Sequence, residues 1–362
     1  MDIVMKGDSH YQHGGMPIVD LERLGLKERP VLDFSVNLNH LGPPEIVREN
    51  WPGFLEVLER YPSVEGEGIA SYYSDRFNIP RDNVLAGNGS TELIYLLPRV
   101  FRFKKVMVMS PSYHDYERAC LLSGAEVRRH SLSPEEDFSF PAMSRLMALL
   151  RDVDAVWIGR PNNPTGTLFP KDLLLELASR LPDRYFIVDE AFIQFVDRWE
   201  EESLLTGTPT ANILVIHSLT KFYALAGIRL GGLVGSTESI ARLKKAKEPW
   251  TVNAIADRVA CLLTQCRDYD QRTRTEVSRE RERVFDRLKR LDGMIPFPPR
   301  ANFILCQWLK SGDLDDLLRH LLSEGLYVRD CRNFPGLEKN FFRIGLRSGK
   351  ENDRLLSVLS AL

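Results

Sequence analysis

Between Asn83 and Gly235, short apolar runs alternate with amphipathic stretches, and this alternation restricts the possible folds more than any other feature. The runs are Val106 to Met109, Ala155 to Ile158, Tyr185 to Val188 and Ile213 to Ile216. Each is bounded by turn chemistry, the pattern of strands buried on both faces. Between them lie helical patterns such as Lys171 to Arg180, where Leu173, Leu174, Leu177 and Leu181 make one stripe. The alternation predicts an α/β domain with a mostly parallel sheet.

A chain of 362 residues exceeds the length at which one hydrophobic core stops growing, so a second, smaller α+β domain is expected. The pattern changes after Pro249. Asn253 to Leu291 reads as one or two long helices, with the charged run Arg272 to Arg290 on solvated faces. Strand-like runs follow at Asn302 to Gln307 and Phe342 to Leu346. The expected division is a large domain over residues 51–248, a small domain over 249–362, and an arm over 1–50 packing on the small domain.

Charge narrows the choice of partner. With a formal net charge of -2 and both signs interspersed, no field favours nucleic acid or an acidic membrane surface. The five cysteines include no C-x-x-C pair, so neither a disulfide framework nor a zinc knuckle is expected. The N-terminal stretch MDIVMKGDSHYQHGG has no apolar core of a signal sequence, and a cytoplasmic protein without metal is the expectation.

Ligands of open α/β sheets sit beyond the carboxyl ends of the strands, so the residues just after each run carry the argument. Gly87-Asn88-Gly89-Ser90-Thr91-Glu92 precedes the helical stretch Leu93 to Phe101; it reads as an anion-binding helix start or as a simple capping turn. Pro161 to Gly166 is a turn. Asp189 closes a buried strand, where a carboxylate requires a partner; a protonated pyridine nitrogen, a helix cap or an ion pair would each serve. Lys221, in Ser218-Leu219-Thr220-Lys221, is a surface cation or, near Arg229, an amine nucleophile of lowered pKa.

Taken together, Asn163-Pro164-Thr165-Gly166, Asp189, and Ser218-x-x-Lys221 with Arg229 eight residues on resemble the fold-type I pyridoxal-phosphate enzymes of the class I/II aminotransferase group. The resemblance implies a three-layer α/β/α large domain, pyridoxal 5'-phosphate as cofactor and Lys221 as the Schiff-base lysine that then moves protons. It implies that Asp189 pairs with the pyridine nitrogen and Asn163 with the ring oxygen. Gly89, Ser90, Thr91, Ser218 and Arg229 correspond to the phosphate cradle, and Tyr113 to the residue stacked on the ring. Tyr61, in Arg60-Tyr61-Pro62, is similar to a tyrosine reaching the cofactor of the neighbouring subunit, which implies a homodimer with shared sites. Arg343 matches the arginine that clamps a substrate carboxylate.

Two branches of the group are similar to this chain: histidinol-phosphate aminotransferase and the threonine-phosphate decarboxylase of cobalamin synthesis. In both, the arginine at the place of Arg329 binds a substrate phosphate. His13-Gly14-Gly15, the Leu32 to Asn39 segment with Asn37, Ser218 to Ala224, Pro249 to Asn253 and Asn333 to Leu337 resemble the decarboxylase branch. Phe192 stands where aminotransferases usually carry tyrosine. The branch implies substrate contacts at His13, Gly14, Gly15, Asn37, Arg329 and Arg343. It further implies decarboxylation of L-threonine O-3-phosphate, with transamination of histidinol phosphate as the alternative.

Overall fold

The structure is a computed structural model and describes residues 14–208, 210–310 and 313–362. The alternating pattern folds into a seven-stranded sheet built from β2 (Val84–Asn88), β3 (Lys105–Ser110), β4 (Glu126–Ser131), β5 (Ala155–Gly159), β6 (Tyr185–Asp189), β7 (Ile213–Ser218) and β8 (Leu230–Val234). A short strand, β1 (Leu32–Asp33), precedes them. The sheet order is β2-β8-β7-β6-β5-β3-β4, with β8 antiparallel to both neighbours and the remaining pairs parallel.

All four predicted runs are strands. Every residue of β5 and β7 is buried, as expected for strands covered on both faces. The helix predicted over Lys171–Arg180 is present, with Leu174 and Leu177 inside. The helix expected from Leu93 begins earlier, at Gly89, so Ser90 and Thr91 lie in its first turn.

Because β8 alone is reversed, the ends of β2, β3, β5, β6 and β7 and the start of β8 share one edge of the sheet. Registers fix the depth of that edge: Gly159 lies beside Asp189, Ser218 beside Gly231, and Asn88 beside Leu230. Gly231 is required by close approach, since a Cβ there would stand 2.5 Å from the Ser90 nitrogen.

The region after Pro249 contains two long helices, Ala254–Leu263 and Arg267–Leu288. A four-stranded antiparallel sheet follows, β12-β13-β10-β9, from β9 (Met294–Pro296), β10 (Phe303–Trp308), β12 (Arg329–Asp330) and β13 (Phe341–Gly345). The N-terminal segment joins it: β1 pairs with β11 (Leu326–Tyr327), and the Gly345 N–H donates to the Phe34 carbonyl at 2.7 Å. Among the described residues no helix is long and apolar enough to cross a membrane.

Candidate active site

A cavity of about 220 Å³ opens along the shared strand edge and is closed on its far side by β12, β13 and the N-terminal segment. Lys221, Asp189, Asn163, Tyr113, Ser90, Thr91, Ser218 and Arg229 line it together with Gly14, Asn37, Arg329 and Arg343. Gly89 sits behind the wall and Gly15 beside Ser35. Tyr61 is elsewhere: it is 87% exposed, with its ring 5.5 Å from that of Trp250. His13 lies outside the described residues.

Lys221 occupies a four-residue helix, Leu219–Phe222, directly after β7. Burial, and then the positive charges of Arg343 and Arg229, lower its amine to about 8. A neutral amine is the nucleophilic form, so these surroundings activate it.

Asp189 is buried, and burial pushes its carboxyl up. Two neutral donors oppose that shift: the Tyr116 hydroxyl at 2.7 Å and the Ala191 N–H at 2.9 Å. Among the described residues no arginine or lysine forms an ion pair with it, so the ion-pair reading of Asp189 does not apply. A buried carboxylate held this way suits a cationic partner from outside the chain.

The helix Gly89–Phe101 points its amino end at the cavity, and its capping residue Asn88 makes no side-chain capping bond. Ser90 and Thr91 lie inside the helix, so neither is its cap residue. Gly89, at φ +74°, lets the Arg229 guanidinium come so close that a Cβ would stand 2.7 Å from it. Arg229, the amino end of the helix with Ser90 and Thr91, and the adjacent Ser218 and Thr220 hydroxyls make a cradle for a phosphate. The residues present thus fit pyridoxal phosphate at both of its polar ends.

Arg329 and Arg343 stand directly opposite each other across β12 and β13. Directly paired residues on neighbouring strands project from one face, so two like charges are held side by side. Arg343 donates to the Asn163 Oδ1 and to the Ser35 carbonyl, the latter at 2.8 Å. With Oδ1 occupied, Asn163 keeps its amide nitrogen as the donor for the cavity. Arg329 donates to the Asp330 carbonyl at 2.6 Å and to the Asn333 Oδ1 at 3.0 Å, and packs over the Phe334 ring.

Several lining residues went unassigned in the sequence reading. Tyr116 follows Tyr113 by three residues, a spacing that places both on one face of a turn, and this is the only signal that pointed to it. His114 lies between the Tyr113 and Phe334 rings, at 5.2 and 5.8 Å. Ser35 holds both Arg343 and the Gly15 N–H, the latter at 2.7 Å.

Comparison with known proteins decides the family. The aminotransferase class I and II family model matches residues 30–360. The chain belongs to that family. It is 35% identical over 350 residues to a threonine-phosphate decarboxylase of Salmonella typhimurium, covering 96% of this chain and 95% of that one. The crystal structure of the histidinol-phosphate aminotransferase from Clostridium acetobutylicum superposes with a TM-score of 0.85 at 30% identity, covering 91% of this chain and 98% of that one. The fold is shared as well with L-threonine-O-3-phosphate decarboxylase from Porphyromonas gingivalis, at TM-score 0.81 and 24% identity over 91% of this chain and 98% of that one. Membership agrees with the three-layer reading of the sheet. In this family member the same strand edge carries Lys221, Asp189 and Asn163.

Proposed function

We propose that this family member is a pyridoxal-phosphate-dependent carboxy-lyase that converts L-threonine O-3-phosphate to (R)-1-amino-2-propanol phosphate and CO2 in cobalamin synthesis. The carrying observation is the directly opposed pair Arg329 and Arg343 in the cavity that holds Lys221. Two guanidinium groups fixed side by side match a small substrate with two anionic ends. The similarity to the Salmonella typhimurium decarboxylase over nearly the whole chain supports this substrate over histidinol phosphate.

Bound pyridoxal phosphate would supply an electron sink for the pair left behind when CO2 departs. Ser90, Thr91, Ser218 and Arg229 would hold its phosphate, Asp189 its ring nitrogen, Asn163 its ring oxygen and Tyr113 its ring face. The Tyr116 hydroxyl and the Ala191 N–H keep the Asp189 carboxylate aimed into the cavity. Arg343 takes the substrate carboxylate and Arg329 its phosphate, which fixes the bond presented for cleavage. Lys221, with its amine at about 8, returns a proton to the substrate carbon afterwards. Gly14, Gly15, Asn37 and His13 complete the substrate side.

The assembly belongs to the same proposal: a cytoplasmic homodimer in which Tyr61 reaches the partner subunit's site. So does the division into an arm, a large cofactor-binding domain and a small carboxyl-terminal domain at residues 51 and 249.

The decisive assay supplies pyridoxal phosphate and L-threonine O-3-phosphate without any keto acid and follows CO2. Parallel reactions contain histidinol phosphate and 2-oxoglutarate and follow glutamate. Catalytic CO2 release without glutamate is expected; glutamate without CO2 would replace the decarboxylase by the aminotransferase.

A further inference from the structure

Lys221 has a buried neighbour that neither touches the cavity nor belongs to the cradle. Asn39 lies between β1 and the helix Glu45–Asn50 and is 3% exposed. Its backbone N–H donates to the Lys221 carbonyl at 3.1 Å. Its side-chain amide nitrogen stands 2.9 Å from each of the Phe222 carbonyl, the Tyr269 hydroxyl and the Thr273 hydroxyl. Its Oδ1 accepts from the Leu41 N–H at 3.1 Å.

One residue thereby ties together three parts of the chain far apart in sequence: the N-terminal segment, the lysine turn Leu219–Phe222 and the helix Arg267–Leu288. A single helical turn does not hold its own geometry, because one turn orders several residues for very few hydrogen bonds. The carbonyls at its end otherwise meet long contacts, from the Ala224 N–H to Lys221 at 3.4 Å and from the Tyr269 hydroxyl to Phe222 at 3.3 Å. Asn39 supplies the shorter donor to each.

The far side of the knot is densely bonded. The Tyr269 hydroxyl donates to the Gly42 carbonyl at 2.7 Å. The Tyr223 ring stacks on that of Tyr269, and the Tyr223 and Tyr72 hydroxyls meet at 3.0 Å. Below them the fully buried Asp270 carboxylate is paired with Arg76. Asparagine is the side chain that suits this spot, with two N–H donors shared among the three oxygens and an acceptor for the Leu41 N–H. A carboxylate of the same shape would turn an oxygen toward the Phe222 carbonyl.

We propose that Asn39 is a positioning residue for Lys221: its amide clamps the lysine turn to the helix Arg267–Leu288 and so sets where the amine stands relative to Asp189 and Arg343. The assignment rests on the reading of Lys221 as the cofactor lysine. A displacement of about 1 Å in a reacting group lowers turnover by up to about a hundredfold, which is the size of effect the clamp controls.

The test compares the holoenzymes of wild type, Asn39→Asp and Thr273→Val. Each is measured for melting temperature, for the pH midpoint of the lysine-dependent visible absorbance, and for kcat and KM. Asn39→Asp is expected to lower kcat about ten- to a hundredfold with KM within about twofold, and to shift the absorbance midpoint by about half a pH unit or more. Thr273→Val, which removes one acceptor from the same amide, is expected to move both readouts in the same direction by less. A folded Asn39→Asp enzyme with unchanged midpoint and kcat overturns the proposal, even if it melts earlier. If that variant does not fold, unchanged values in Thr273→Val overturn it. Absorbance that persists in Lys221→Ala would instead refute the reading of the lysine, separately from the clamp.

Discussion

At Lys221 the decisive quantity is the proton. An exposed lysine near 10.5 has about one neutral amine in three thousand at pH 7, whereas one near 8 has about one in ten. Cofactor-free protein should therefore capture pyridoxal phosphate at a rate that climbs with pH and levels off above about 8. Stopped-flow absorbance at a series of pH values measures this; a rate still climbing steeply toward pH 10 would show that the amine is not depressed. Lys221→Ala should lose both the absorbance and turnover. Asp189 is the complementary case. The identity of the residue was legible as a carboxylate at a strand end, but its partner Tyr116 was not. The hydroxyl that holds it arrives from a helix 73 residues earlier in the chain, and no local pattern encodes that meeting.

The pairing of β12 with β13 carries a prediction at the scale of the element. Arg329 and Arg343 hold two like charges side by side; burial, and in lesser part Arg329, bring the Arg343 guanidinium down to about 10. Arg329→Ala should raise KM for L-threonine O-3-phosphate by about ten- to a hundredfold, the value of a charge-assisted hydrogen bond of about 1.5–3 kcal/mol. Without ligand the variant should melt lower than wild type, because the bonds of the buried Arg329 to the Asp330 carbonyl and the Asn333 Oδ1 and its packing on Phe334 are lost. Added inorganic phosphate should raise the melting temperature of wild type and do so less in the variant, by mass action; equal shifts would place the phosphate elsewhere. A second element-scale device lies at the end of β6. Arg160 and Glu190, both fully buried, pair at 3.0 Å, and Arg160 also reaches Glu202 at 2.8 Å. Glu190 further accepts from the Ser203 hydroxyl at 2.6 Å. Removing the Glu190 charge leaves the buried Arg160 with Glu202 as its remaining anion, so Glu190→Gln should lower unfolding free energy by about 1–3 kcal/mol in denaturant titrations. A loss under about 1 kcal/mol would mean that water reaches the pair.

For the whole molecule, one group of exposed apolar residues stands out among the described residues. Trp51, Leu55, Leu58, Tyr61 and Val64 follow one another along one stretch, and Trp250 packs against Tyr61. Contiguous apolar surface of this kind marks an interface, in keeping with the proposed homodimer. Sedimentation equilibrium should give about twice the 41.4 kDa of one chain, and Leu58→Asp should shift the equilibrium toward single chains with loss of activity. A monomeric wild type with full turnover would remove Tyr61 from the site.

The sequence by itself determined which residues could do chemistry and the strand ends they stand on. Apolar runs, turn residues and helix stripes follow from short-range sterics and burial, so β3, β5, β6, β7 and the edge carrying Asn163, Asp189 and Lys221 were readable in advance. The strands β2, β4 and β8 were not, because Leu230 to Val234 contains two adjacent glycines and Glu126 to Ser131 carries three charges. Only the tertiary structure decided how separate pieces meet. It reversed β8 so that Arg229 returns to the cradle, set Arg329 opposite Arg343, and brought Asn39 to Lys221 and Tyr116 to Asp189. Those contacts depend on sheet order, register and the closing of long loops, which are properties of the folded chain as a whole.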